Sequence, residues 1–198
     1  MKLALSSAAL AILLLSGCSM QPRVTPEVAD WQGHSRLVGQ LHQWQLQGKL
    51  GFKSANQGGS ANLRWSQNQQ QYQLSLTGPL GAGSATLIGN STMAQLRQDN
   101  QLYTGLPEQL AIQLTGVPIP VDALSWWARG LPSPHKSESY NLVTTANGTA
   151  ASFTQAGWQL AFSRYSLTPE GTLPRKIIGQ HGGHSFKLVI SRWSFPDN

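Results

Sequence analysis

The sequence predicts a mainly β fold with some α: one curled antiparallel sheet of ten or eleven strands, with three short helices against its apolar face. Three observations predict it. From Trp44 onward, apolar residues recur at every second position through most of the chain, the period of a half-buried strand. Turn residues such as Asn56 to Gly59, Asn68 to Gln70 and Asn147-Gly148 separate these runs at short intervals. Only three stretches carry helical spacing, too few to cover so wide a sheet laid flat. The sheet must therefore curl, so that its apolar face becomes concave and the helices plug part of it. Periodicity leaves open whether the interior is a cavity or a filled core.

The chain has 198 residues, enough for one domain with a substantial core. Its start reads as an export signal. Met1-Lys2 is positive, Leu3 to Leu15 is a small-and-apolar run, and Ser16-Gly17-Cys18 follows. The run of about 13 residues is too short to span a bilayer as a mature helix. Leu15-Ser16-Gly17-Cys18 is similar to a bacterial lipobox, which implies cleavage before Cys18 and lipid attachment to its thiol. Residues 1–17 are thus expected to be a removed signal peptide and 18–25 a lipidated tether. Residues 26–198 are expected to be a single domain. Ser19 after the cysteine favours the outer membrane by resemblance to other lipoproteins.

The elements follow in order. Thr25-Pro26-Glu27 has the form of a helix start, and Val28, Trp31, Ser35, Val38 and Leu41 then share a face. His34 and His42 on this helix are expected at the surface. Trp44, Leu46, Gly48, Leu50 and Phe52 alternate with Gln45, Gln47, Lys49, Gly51 and Lys53. Ala61, Leu63 and Trp65 form the next strand, then Tyr72, Leu74 and Leu76. Shorter strands are expected at Ala85 and Leu87, at Ala94 and Leu96, and at Gln101 to Thr104. Pro107-Glu108 opens a helix carrying Leu110, Ile112 and Leu114 that ends near Gly116. Pro120-Val121-Asp122 opens another, with Leu124, Trp127 and Leu131 on one side. Trp126 is left towards a cavity mouth or water. Strands return at Tyr140 and Leu142, at Ala151 and Phe153, and at Trp158, Leu160 and Phe162. Leu173 to Ile178 and Phe186, Leu188 and Ile190 close the chain as a hairpin about Gly182-Gly183.

Composition excludes several functions. One cysteine allows no internal disulfide and no thiolate metal site. Charged residues are 11%, against about 25% in ordinary soluble domains, and 20 Gln carry much of the polarity instead. No acid occurs between Asp30 and Asp99, so paired-carboxylate chemistry is not expected. The net charge of +6 suits nucleic acid, an anionic membrane face or an acidic partner. The basic residues are scattered, with no run beyond Arg175-Lys176, so nucleic-acid binding is not expected. Phosphate-loop, dinucleotide, serine-elbow and zinc-protease motifs are absent from the sequence. His181 and His184 flank Gly182-Gly183 and read as a turn, not a metal pair. No enzyme, cofactor, metal or catalytic residue is expected, and the protein is expected to be monomeric.

Two features remain. The loop Gly78-Pro79-Leu80-Gly81-Ala82-Gly83 sets an apolar residue at a tip between two strands. Leu80 there either dips into a bilayer or folds back onto the rim. The apolar side of the curl gathers Leu46, Leu50, Leu63, Trp65, Leu74, Leu76, Trp158 and Leu160, with Leu124 and Trp127 from the helix. A concave face of this kind suits lipid.

Three pieces of the sequence resemble the outer-membrane lipoprotein receptor family LolB. They are Leu15-Ser16-Gly17-Cys18, Thr77-Gly78-Pro79-Leu80-Gly81, and Leu114-Thr115-Gly116-Val117-Pro118-Ile119-Pro120 running on through Leu124, Trp127 and Gly130-Leu131-Pro132. The resemblance covers the whole mature chain. It implies a curved, incomplete antiparallel β-barrel of about eleven strands, with helices as a lid enclosing an apolar cavity for acyl chains. It implies acceptance of acylated lipoprotein cargo from the periplasmic carrier LolA and its insertion, without ATP, among the phospholipids of the outer membrane. The protein itself would be lipid-anchored on the periplasmic face. The resemblance also implies that Leu80, flanked by Pro79 and Gly81, serves membrane insertion. The alternative is a structural or interaction lipoprotein with a filled core.

Overall fold

The structure is a computed structural model that describes residues 30–81, 83–136 and 139–196. Cys18, the signal, the tether and the expected helix start at Pro26 lie outside the described residues. Helix α1 spans Trp31–Gly39 and begins after Asp30, not in mid-helix as expected. Asp30 is extended, and its carboxylate accepts from the Gly33 amide at 2.7 Å, which caps the first turn.

The strands then run β1 Gln43–Lys53, β2 Gly58–Asn68, β3 Gln71–Thr77, β4 Ser84–Gly89, β5 Ala94–Gln98 and β6 Gln101–Gly105. Helices α2 Pro107–Thr115 and α3 Val121–Trp127 follow. The second half holds β7 Tyr140–Thr144, β8 Ala150–Gln155, β9 Trp158–Ser163, β10 Ser166–Thr168, β11 Gly171–Leu173, β12 Lys176–His181 and β13 His184–Ser194. Eleven of these form one sheet in the order β6-β5-β4-β3-β2-β1-β13-β12-β9-β8-β7, and β10-β11 form a small separate hairpin. The strand pairs of this sheet are antiparallel, and most are joined by short turns.

The first and last long strands, β1 and β13, meet in the middle of the sheet, and its two edges are the internal strands β6 and β7. A bulge between Gln47 and Gly48 shifts the β1–β13 register by one residue. At Gly179 of β12 the backbone passes so close to the Phe186 ring that a side chain there would collide with it.

The sequence reading treats Leu173 to Ile178 as one strand. The structure breaks it at Pro174, which has no amide hydrogen to continue a ladder. Leu173 ends β11, and β12 starts afresh at Lys176. The β10–β11 hairpin has three-residue strands, too short for a readable alternation.

The core lies on one side of the sheet. Inward residues of β1 to β5, β8, β9, β12 and β13 pack with Leu110, Ala111, Val117, Ile119, Val121, Leu124 and Trp127 in one continuous cluster. A smaller cluster of Val38, Leu131 and Leu173 sits under α1, with Trp31, Trp193 and Phe195 against it. Leu131 was expected beside Trp127 on one helix face. Because α3 stops at Trp127, Leu131 instead serves this second cluster.

Candidate functional site

The ten residues read as lining an acyl cavity do come together. Leu46, Leu50, Leu63, Trp65, Leu74, Leu76, Leu124, Trp127, Trp158 and Leu160 are all buried members of the same cluster. Alternation puts the eight strand residues on one face, and the pairings Leu46↔Trp65, Trp65↔Leu74 and Leu63↔Leu76 make them neighbours. Side chains of α2, α3 and the 117–120 segment pack onto this face. A cleft of about 750 Å³ lies elsewhere, lined by residues that include Leu167, Arg175, Trp193 and Phe195.

Helix α3 is fastened in this plug by polar groups. Gln155, 1% exposed, points inward at the end of β8. Its Oε1 accepts from Trp127 Nε1 at 2.9 Å and from the Ser133 amide at 2.8 Å, and its Nε2 donates to the Ser133 carbonyl at 2.9 Å. Arg129, just past α3 and 4% exposed, donates through one Nη to the carbonyls of Val38 (3.1 Å) and Leu41 (2.9 Å). These carbonyls sit at and beyond the end of α1, where a helix presents partial negative charge. The guanidinium also lies 4.3 Å from the Trp126 ring centroid, a cation–π arrangement. Burial pushes Arg129 down to about 10, so it remains charged at neutral pH. Trp126, expected towards a cavity mouth or water, is half-buried between Arg129 and His135. The exposed face of α3 adds an ion pair, Lys136 Nζ to Asp122 Oδ2 at 3.1 Å.

Helix α2 is held differently. Its Leu106 cap makes no side-chain bond, and Gly116 ends it in a left-handed conformation. Of the apolar residues this helix was expected to carry, Leu110 is buried and Ile112 is exposed, with Ala111 buried beside Leu110. Leu110, Ile112 and Leu114 cannot share one face at 3.6 residues per turn, so the helix buries Leu110 and turns Ile112 out.

Leu80 is the most exposed large apolar residue described, at 107% of its reference area. Pro79–Gly81 forms a single tight turn, and Leu80 adopts φ 55°, ψ 22°, a left-handed conformation costing about 1–2 kcal/mol for a residue with a Cβ. The loop is closed by Gly78 and Gly83, whose amide and carbonyl bond at 3.1 Å. Of the two sequence readings, the structure selects the tip projecting into solvent and excludes the one folded back on the rim.

Gln155 was missed and His34 misread. Gln155 continues the inward series Ala151, Phe153, Gln155, so a polar residue in an apolar register was the available signal. His34, read as a surface residue, is 2% exposed, and its Nε2 has no hydrogen-bond partner. Burial lowers its pKa from the ordinary imidazole value. Tyr72 faces inward with its hydroxyl unpartnered; burial and then the Asp122 carboxylate raise its pKa. His181 and His184 pair across the β12–β13 turn, and among the described residues no group of three His, Cys, Asp or Glu could hold a metal ion.

The fold is an open antiparallel half-barrel whose apolar concave face is covered by helices. Two crystal structures share it at 8% identity: a DUF1329 family protein from Desulfovibrio piger (TM-score 0.57, covering 86% of this chain and 94% of that one) and a LolA superfamily protein from Nitrosomonas europaea (TM-score 0.55, 85% and 94%). The family model described as "Outer membrane lipoprotein LolB" matches residues 42–193. Relatives described as outer-membrane lipoprotein LolB occur in Pseudomonas fluorescens, 35% identical over 92% of this chain and 91% of the relative, and in Cellvibrio japonicus, 35% identical over 90% of each. The chain belongs to the LolB family of outer-membrane lipoproteins.

Proposed function

We propose that this protein works as an outer-membrane lipoprotein receptor that takes acylated lipoproteins from the periplasmic carrier LolA and releases them into the outer membrane without ATP. LolB family membership and the LolA-like fold support the receptor role. The observation that carries the mechanism is the single apolar face of the open sheet, covered by helices and not by a second sheet. Helices can be displaced without breaking a β ladder, and the uncovered face then offers Leu46, Leu63, Leu74 and Trp158 to acyl chains. Each buried methylene contributes about 0.8 kcal/mol, so a slightly better-matched face draws chains from the carrier. A difference of about 1.4 kcal/mol biases the exchange tenfold. The bilayer buries the chains completely and completes the transfer. Lipid on Cys18 holds the receptor at its target and raises the effective concentration. Leu80 enters the bilayer at release.

The test mixes the full chain with a LolA–lipoprotein complex and identifies which protein holds the cargo. Cargo on the receptor supports the reading; cargo left on the carrier, with the receptor folded, overturns it. Leu80→Glu is expected to permit acceptance and to slow release into liposomes. The packing of α2 and α3 onto the apolar face favours a second reading, an interaction lipoprotein that never opens. Failure to bind any fluorescent acyl probe would select that reading.

A further inference from the structure

The eleven-stranded sheet carries no acidic residue on any strand. Its cations are collected on one face. Lys49 and Lys53 of β1, Arg64 of β2, Arg97 of β5, Lys176 of β12 and Lys187 of β13 all occupy outward positions, opposite the buried series. The registers set them in adjoining rows. Arg64, Ser75, Thr86 and Arg97 lie across four neighbouring strands, and Lys49, Val189 and Lys176 lie across three. Between the cations stand Ser, Thr, Asn and Gln together with Ile88, Ile178 and Val189, and no aromatic side chain faces outward on these strands. The described acids are Asp30, Asp99, Glu108, Asp122 and Glu170, on helices, caps and turns.

The ends of the sheet supply a second observation. Asp30, where the tether enters, packs on Gly148 in the β7–β8 turn. The Leu80 loop follows β3 at the opposite end, the end of the β12–β13 turn. An eleven-residue strand such as β1 is roughly 35 Å long. The segment from Cys18 to Asp30 reaches about 40 Å at most. A domain standing on its Leu80 end would stretch this tether along its whole height. A domain lying on its side brings both ends near one surface.

We propose that the outer face of β1 to β5, β12 and β13 lies against the anionic phospholipid head groups of the anchoring membrane. The proposal rests on the reading of Cys18 as the lipid anchor. A face of spaced cations without an aromatic anchor matches a diffuse anionic surface. An acidic protein partner would need a buried hot spot, which this face lacks.

The test uses the full-length acylated protein with Ser75→Cys on that face. Cys18 is then blocked as a thioether, and residue 75 carries the free thiol. Vesicles of phosphatidylcholine alone are compared with vesicles holding about 30% phosphatidylglycerol, using a membrane-impermeant maleimide. Labelling is expected to slow about fivefold or more on the anionic vesicles. Salt near ~0.5 M, or the triple variant Lys49→Gln/Arg64→Gln/Lys187→Gln, is expected to restore the rate. Equal rates on both vesicles would overturn the proposal, as would slowing that appears only when LolA is added. Cargo delivery is followed on the same vesicles: delivery with equal labelling rates sinks the face contact alone, and protection without delivery sinks only the receptor reading.

Discussion

Helices α2 and α3 close the same concave face by different physics. Helix α3 is fastened through Trp127 and the following segment to Gln155, through Arg129 to the end of α1, and through Asp122 to Lys136. Helix α2 presses Leu110 and Ala111 onto the sheet and lies between Gly105 and Gly116, and its buried Thr115 hydroxyl bonds only to the nearby Ala111 and Val117 backbone. Apolar contact is non-directional, so an acyl chain can replace it, whereas buried polar contacts must be re-made by a specific partner. On this difference α2 is expected to be the more easily displaced of the two helices.

The largest effects are expected at the fastened helix. Gln155→Leu strands the Trp127 indole and both backbone groups of Ser133, and is expected to cost about 3 kcal/mol in denaturant unfolding. Arg129→Met removes the donor to the Val38 and Leu41 carbonyls and is expected to cost a similar amount, with Arg129→Lys recovering part. Ile112→Ser on α2 is expected to shift stability by no more than about 0.5 kcal/mol. A comparable loss at all three sites would abolish the distinction. Hydrogen exchange sharpens it. Amides of 110–115 are expected to exchange at least about tenfold faster than those of 124–128. Equal protection would show one rigid lid.

Smaller effects lie outside the helices. His34 is held neutral by burial, with its folded pKa below 6.5. Above pH 6.5 both folded and unfolded states leave it neutral. As pH falls below 6.5 the unfolded chain binds the proton first, so stability declines until the folded pKa is passed. His34→Leu is expected to flatten this part of a thermal-melt series between pH 7 and 5. Leu80→Gly is expected to leave the fold unchanged or to stabilise it by about 1 kcal/mol, since the left-handed turn no longer opposes a Cβ. The same variant is expected to lose release into liposomes, which would separate the strain of the tip from its use.

Strand alternation made most of the sheet and the ten inward residues legible, because one face of each strand is apolar over several repeats. The short β10–β11 hairpin was not, because three residues do not establish a period. Pro174 was the visible warning that Leu173 to Ile178 could not be one strand. His34 went unread because its burial depends on β11 and the α1 face meeting, a long-range fact. Leu80 was identified as a tip by its Pro and Gly neighbours, but its full exposure needed the loop geometry. Gln155 and Arg129 were written in the sequence as polar residues in apolar surroundings, yet their partners lie 22 to 91 residues away.

The open sheet leaves two edges, and they are blunted in different ways. Strand β6 stops after five residues at Gly105, with Pro107 close behind. Strand β7 pairs with β8 through two register irregularities, with Asn141 at φ 56°. A protein confined to a membrane meets its own copies far more often than one diffusing in three dimensions. Under that crowding a straight, regular edge would template chain upon chain into a ribbon. The brevity of β6 and the crookedness of β7 deny a neighbouring copy the run of evenly spaced donors and acceptors that such growth requires.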